Sequence, residues 1–298
     1  MIRLLARIAL SLLAPLVILT PRPGHAAAPA PAQMEHVSIR TIGSGAPVIL
    51  IPGLSSPRAV SDGIAPALAA THRIVLVQVN GFGGDDPRGN LKPGLLDGVV
   101  ADLDTYITKN KLQGAAVVGH SMGGLVGLML AKAHPADVGK LMVVDSLPYV
   151  GDIFLPGATI AQVEPQARAL RDQEAARYGK PAAAAAAKAT AMGLALKPES
   201  QAKVAQWIEA SDPHVTAEAL YEDMTTDLRP DMAAIATPLT LVYPWSARVP
   251  KEKADAFYRA EYAQAPHVDF VAVSDSAHFV MLDQPAAFQA AVEAFLTK

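Results

Sequence analysis

The sequence predicts an α/β fold: a mostly parallel central sheet flanked by helices, with a helical segment inserted late in the chain. Three observations predict it. Short apolar runs that read as buried strands alternate with helix-like segments from residue 47 onward. A glycine-rich serine motif, Gly119-His120-Ser121-Met122-Gly123, joins one such strand directly to an apolar helix. An alanine-rich stretch poor in strand formers interrupts the alternation between residues 148 and 230. The 298 residues are 51% hydrophobic and 18% charged, enough for one large core.

The chain opens with Arg3 and Arg7, an apolar run over 8–19 that contains Pro15, and the small-residue site Gly24-His25-Ala26. This pattern predicts a secretory signal peptide over residues 1–26. The run is too short, and too interrupted by Pro15, to serve as a stable membrane anchor. Loss of Arg3, Arg7 and Arg22 takes the net charge from −3 to −6. Such a protein belongs in a periplasm or outside the cell. Its charge gives no general attraction for nucleic acid. Cysteine is absent, which excludes disulfides, thiolate zinc sites and cysteine nucleophiles. Residues 27–33, rich in Ala and Pro, read as a disordered leader.

Residues 37–42 alternate as an early edge strand does. Residues 47–51 form a buried strand that runs into Pro52-Gly53-Leu54-Ser55. Residues 74–79 form another, leading to a loop from Asn80 to Asp86 whose glycines permit positive φ. Phe82 in that loop faces either a pocket or the core. Residues 94–110 place Leu95, Leu96, Val99, Val100, Leu103 and Ile107 on one helical face. Residues 115–118 are a strand, and the helix after the serine motif stops at His134-Pro135. Strand 141–144 ends in Asp145. Pro181 and Pro198 break the alanine-rich insertion. Strand 238–243, an amphipathic helix over 251–264, strand 268–273 and a closing helix through Leu296 complete the chain. The repeated strand–helix alternation implies that the strands run parallel.

A serine on so tight a turn sits in strained backbone, with its hydroxyl raised above the sheet edge. The Met122 N–H then lies at a helix N-terminus, where developing negative charge is favoured. On this motif and its strand–turn–helix setting, the chain resembles the α/β-hydrolase family over nearly everything after residue 35. The resemblance implies a core over 27–150 and 231–298, with residues 151–230 as a helical cap. It implies a second oxyanion donor in the Leu54 N–H. Pro52 stands where the family usually has a histidine, and Asn80 where it usually has Asp.

Ser121 needs a base. The resemblance puts it at His278, in Ser-Ala-His-Phe after the last strand. His120 is expected to point elsewhere on the turn. The acid departs from the family pattern, because Ser246 occupies the usual position after strand 239–243 and no carboxylate lies nearby. Some members carry the acid one strand earlier, which here is Asp145. Asp275, Asp227 and a dyad without an acid stay open. No cofactor and no metal is expected.

These readings converge on a serine hydrolase that cleaves small or medium apolar carboxylic esters. Leu54, Trp245, Phe279 and Met281 are expected to line an apolar pocket. A lactonase or an aminopeptidase would use the same machinery. A serine nucleophile disfavours the dehalogenase and epoxide-hydrolase branches, which attack with Asp. A small-molecule binding protein that kept the fold without catalysis is the competing class, and the missing acid after Tyr243 is its support.

Overall fold

The computed structural model of the chain describes residues 30–179 and 183–298. The expected signal peptide and Pro181 lie outside the described residues. Eight strands form one sheet: β1 (Ala32–Gln33), β2 (Val37–Gly43), β3 (Ala46–Ile51), β4 (His72–Val79), β5 (Ala115–His120), β6 (Val138–Val144), β7 (Leu239–Pro244) and β8 (Val268–Val273). Their order is β1-β2-β4-β3-β5-β6-β7-β8. Strands β3 to β8 pair in parallel, as the alternation implies.

The sheet is not parallel throughout. β2 runs antiparallel to β4, and β1 antiparallel to β2. The link from β2 to β3 is only Ser44-Gly45, and a parallel arrangement needs a crossover of a dozen or more residues. The chain simply reverses there. β1 also corrects the expected leader. Ala32 and Gln33 pair with Ile39 and Ser38, and Gln33 Nε2 donates to Asn80 Oδ1 at 3.0 Å. Asn80 is fully buried, and its amide donates to the carbonyls of Met34 and Glu35. Composition suggests a free tail here, but pairing at the sheet edge and one buried amide order it.

Helices α1 (Ala65–Leu68), α2 (Leu95–Asn110) and α3 (Met122–Ala133) alternate with the first strands. Helices α4 (Gly151–Phe154), α5 (Ile160–Ala175), α6 (Ala183–Leu194), α7 (Pro198–Ala210) and α8 (Pro213–Thr225) lie between β6 and β7. Helices α9 (Lys251–Glu261), α10 (Val280–Asp283) and α11 (Pro285–Thr297) complete the chain. Both faces of the sheet are covered, which is why its central strands are continuously apolar. α2, α3 and α9 bury Leu103, Leu125 and Tyr258 against one face; α1, α10 and α11 bury Leu68, Met281 and Phe288 against the other. Phe82 belongs to the first core. Among the described residues no helix is long and apolar enough to cross a membrane.

β5 passes into α3 with Ser121 alone between them, at φ 54° and ψ −127°. The turn closes only because nothing stands between strand, helix and neighbour. A Cβ added at Gly119 would lie 2.1 Å from the Gly123 carbonyl oxygen, and one added at Gly123 would lie 2.4 Å from that of Ile51. Both obstacles are backbone. An added Cβ at Gly127 would meet the end of the Leu141 side chain at 2.7 Å, and that end can rotate away. Gly123→Ala is therefore expected to cost about 1–3 kcal/mol or more, with Gly127→Ala costing clearly less. Urea denaturation of the two variants checks the difference.

Candidate active site

Ser121 lies at the C-terminal end of β5, on the wall of a cavity of about 420 Å³. The Pro52–Ser55 loop abuts it, since a Cβ added at Gly53 would come within 2.9 Å of the Ser121 Cβ. Met122 is the first residue of α3, so its N–H has no intrahelical partner. Neither that N–H nor the Leu54 N–H donates to any described residue. Two unpaired backbone donors thus flank the serine, which is the arrangement a developing oxyanion requires.

His278 lines the same cavity. Its Nδ1 lies 2.7 Å from Asp145 Oδ2. A carboxylate can only accept, so Nδ1 carries the proton and Nε2 is left free to take one. The structure forms no hydrogen bond between Ser121 Oγ and His278. Such bonds often tighten only when substrate is bound. Asp145 follows β6 with φ 46°, and its N–H donates to Val242 O at 2.8 Å. Burial by itself would raise this carboxyl. The hydrogen bond and charge of His278, together with a hydrogen bond from the Tyr258 hydroxyl, outweigh burial and hold it below the usual carboxylate value.

The other candidate acids are elsewhere. Asp275 is exposed. Asp227 is taken up by Arg229, at 2.6 Å. Ser246, where the family's acid would stand, accepts from the Arg248 N–H instead. Of the four residues expected to line an apolar pocket, Leu54 and Phe279 do so. Trp245 packs against the core under α9, and Met281 lies in the opposite core. An apolar residue near a strand end carries no mark of which side of the loop it will fill.

His120 makes no hydrogen bond to Ser121 and does not line its cavity. Its Nε2–H donates to the His278 carbonyl oxygen at 2.9 Å, and the two rings lie 4.6 Å apart. Burial, and then the charge of His278, lower its pKa from the usual 6.5 to about 3. It is a neutral strut under the histidine loop. Asp283 is a second strut: its carboxylate accepts from Ala277 N on that loop and from Leu196 N and Lys197 N between α6 and α7. Tyr258 supports Asp145 from α9. The sequence marks neither Asp283 nor Tyr258, whose bonds to Lys197 N and Asp145 span 86 and 113 residues and follow no motif, and it places His120 beside Ser121 without showing its bond to the His278 loop, 158 residues away.

The helices between β6 and β7 wall the rest of the cavity. Each of α5, α6, α7 and α8 contributes an apolar side chain: Leu170, Leu194, Trp207 and Leu220. α8 is fastened at both ends. Near its start, Thr216 Oγ1 bonds to Ser55 Oγ at 2.9 Å. Near its end, the Glu222 carboxylate accepts from the N–H groups of Gly94, Leu95 and Leu96 at the start of α2.

Asp104, His134 and Asp137 also come together, with potential ligand atoms within 4.8 Å of one another. This group lies at the far end of α3, about 18 Å from Ser121 along the helix, so it takes no part in the cavity.

A sequence profile of the Alpha/beta hydrolase family matches residues 48–291. Among curated relatives, a pimeloyl-(acyl-carrier protein) methyl ester esterase of Aeromonas hydrophila subsp. hydrophila is 35% identical over 115 residues, 38% of this chain and 42% of that protein. A putative carbamate hydrolase, RutD, of Cronobacter turicensis is 27% identical over 216 residues, 66% of this chain and 72% of that protein. The chain spans about two fifths of the length of the first curated relatives it matches. A solved thermophilic esterase of Thermogutta terrifontis superposes with a TM-score of 0.74 at 20% identity, over 90% of this chain and 98% of that one. With the profile spanning most of the chain and the fold shared along its length, this protein belongs to the Alpha/beta hydrolase family.

Proposed function

We propose that this chain is a serine hydrolase that cleaves carboxylic esters through an acyl-enzyme on Ser121. The observation that carries this reading is the 2.7 Å Asp145–His278 hydrogen bond, on the wall of the cavity that also holds Ser121. Family membership supports hydrolysis in general. The choice of ester over amide or carbamate rests on chemistry, since an alcohol leaves more readily than an amine.

His278 Nε2 takes the Ser121 proton as Oγ attacks the ester carbonyl carbon. The C=O electron pair moves to oxygen, and the Leu54 and Met122 N–H groups hold that oxyanion, each worth on the order of 10²–10³ in rate. As the tetrahedral adduct collapses, the C–O bond to the alcohol breaks and His278 hands its proton to the leaving oxygen. Water, deprotonated by His278, then attacks the acyl carbon; the bond to Ser121 Oγ breaks, His278 returns the proton to Oγ, and the acid is released. Asp145 holds the imidazole in the Nδ1–H tautomer and stabilises its cation. The helices between β6 and β7 act as a cap that keeps bulk water from the acyl-enzyme. Export from the cytoplasm is part of the same proposal and rests on the pattern in residues 1–26.

Ser121→Ala is expected to remove nearly all turnover of a chromogenic short-chain ester and all labelling by a fluorophosphonate. Labelling that persists in the variant rules the mechanism out. Asp145→Asn should lose about 10²–10⁴ in kcat. A rate within a few-fold of the wild type would remove Asp145 as the acid and leave a dyad.

His120 offers a check on stability. The groups facing it are His278 and Asp145. Below the unfolded value of 6.5 the unfolded chain takes up a proton that folded His120 refuses until about pH 3. Its contribution is therefore complete above pH 6.5 and is lost as pH falls towards 3, at up to about 1.4 kcal/mol per pH unit. Urea denaturation at pH 4, 5, 6 and 7 should show the stability of the wild type relative to His120→Gln falling as pH falls, at up to about 1.4 kcal/mol per pH unit. Equal slopes would mean that His120 is not held neutral.

A further inference from the structure

Helix α8 turns one stripe towards the cavity: Thr216, Leu220 and Asp223, spaced four and three residues apart. Thr216 is occupied by Ser55, and Leu220 is apolar wall. Asp223 is different. It is only 5% exposed, its Oδ1 is buried without a partner, and its side chain makes no hydrogen bond to any described residue. Arg177, which also lines the cavity, is committed to Glu174. Glu222, the sequence neighbour of Asp223, does the structural work of capping α2.

A buried carboxyl with no partner is costly, and the great majority of buried polar groups have one. Asp223 caps no helix, joins no ion pair and fastens no loop, yet it lines the cavity that holds Ser121 and His278. The missing partner has to come from the cavity side.

We infer that Asp223 receives a hydrogen-bond donor, a hydroxyl or an ammonium group, carried by the substrate. This deepens the ester-hydrolase reading and rests on it. The substrate class narrows from a plain alkyl ester to one bearing a hydroxyl or amine a few bonds from the scissile carbonyl, with its carbon skeleton against Leu220, Trp207 and Phe279. Burial pushes the Asp223 carboxyl up to about 7, with the charge of His278 acting in the opposite sense, as fits a group still lacking its partner.

The test uses four esters followed by acid release: ethyl butanoate, ethyl 3-hydroxybutanoate, 2-hydroxyethyl butanoate and ethyl 3-aminobutanoate. In the wild type at least one donor-bearing ester should exceed ethyl butanoate in kcat/KM by about tenfold or more. Asp223→Leu should collapse that ratio towards one. Asp223→Asn separates the two donors, keeping preference for a hydroxyl and losing it for an ammonium. A ratio that Asp223→Leu leaves within twofold overturns the inference.

The same pairs titrated calorimetrically into Ser121→Ala, with and without Asp223→Leu, read binding of the intact ester. Donor preference that disappears with Asp223 supports the inference even if Ser121-dependent turnover is absent, an outcome that would sink the ester-hydrolase reading alone. Equal affinities in both backgrounds overturn the inference. Asp223→Leu should also raise Tm at pH 8, where the wild type carries an ionised, unpaired carboxylate. A higher Tm with unchanged discrimination would mark Asp223 as a packing defect and overturn its role in recognition.

Discussion

The site depends on a backbone that is held where serine would not choose to be. Ser121 at φ 54° occupies a region that costs a non-glycine residue about 1–3 kcal/mol. It stays there because its surroundings over-determine it. Its N–H donates to Val144 O at 2.9 Å, and its carbonyl accepts from Gly124 N at 2.7 Å. The strand before it is buried along its whole length, and nine of the twelve residues of α3 behind it are buried too. Shifting Ser121 to a relaxed conformation would mean pulling β5 from the middle of the sheet. Strain stored at one residue is thereby secured by the burial of fifteen neighbours. Ser55 and Asp145, at the ends of the flanking segments, also have positive φ. All three bends raise a side chain or an amide out of the sheet edge at the same end of the strands.

His278 reaches this turn through its neighbour. His278 lies 157 residues from Ser121, but its carbonyl is tied to His120, the last residue of β5. The residue before Ser121 therefore carries the loop that bears His278. Asp145 is placed by sheet adjacency. β6 and β7 are paired neighbours, with Val144 opposite Val242, so a carboxyl after either strand can approach the same imidazole. In this chain the end of β7 is capped by Ser246, and the carboxyl comes from β6. Tyr258 donates to the carboxylate oxygen that His278 leaves free. An ionised carboxyl in so buried a position is tolerable only with both partners present.

Much of this architecture is local and was therefore readable. Strand and helix periods, the serine motif and the apolar elbow helix are properties of contiguous residues, and their physical causes act within a few positions. The candidate triad was readable only as far as chain order allowed. Asp145 competed with Asp227 and Asp275 because a strand-end carboxylate looks the same in sequence whether it meets an imidazole or an arginine. The edge of the sheet was misread for the complementary reason. Ala32-Gln33 has the composition of a tail, and the buried Asn80 that orders it lies 47 residues away. Glu222 on α8 was invisible in the same way, since the three amides it accepts belong to α2. What the sequence withheld were single long-range polar contacts, each specific and none periodic.

Two such contacts bear opposite signatures in the same small volume. His120, buried against His278, is pushed down to about 3, while Asp223, buried across the cavity, is pushed up to about 7. Between about pH 3 and 6.5 the unfolded chain holds the His120 proton and the folded chain does not, so stability rises with pH. Between the usual 3.8 and about 7 the folded chain holds the Asp223 proton and the unfolded chain does not, so stability falls with pH. The windows overlap over most of the acid range, and the two slopes oppose each other there. A flat stability profile of the whole protein would then conceal two strongly perturbed groups. Only the histidine has its hydrogen bond within the chain. The carboxyl has none, and that asymmetry separates a strut of the fold from a group that waits for a ligand.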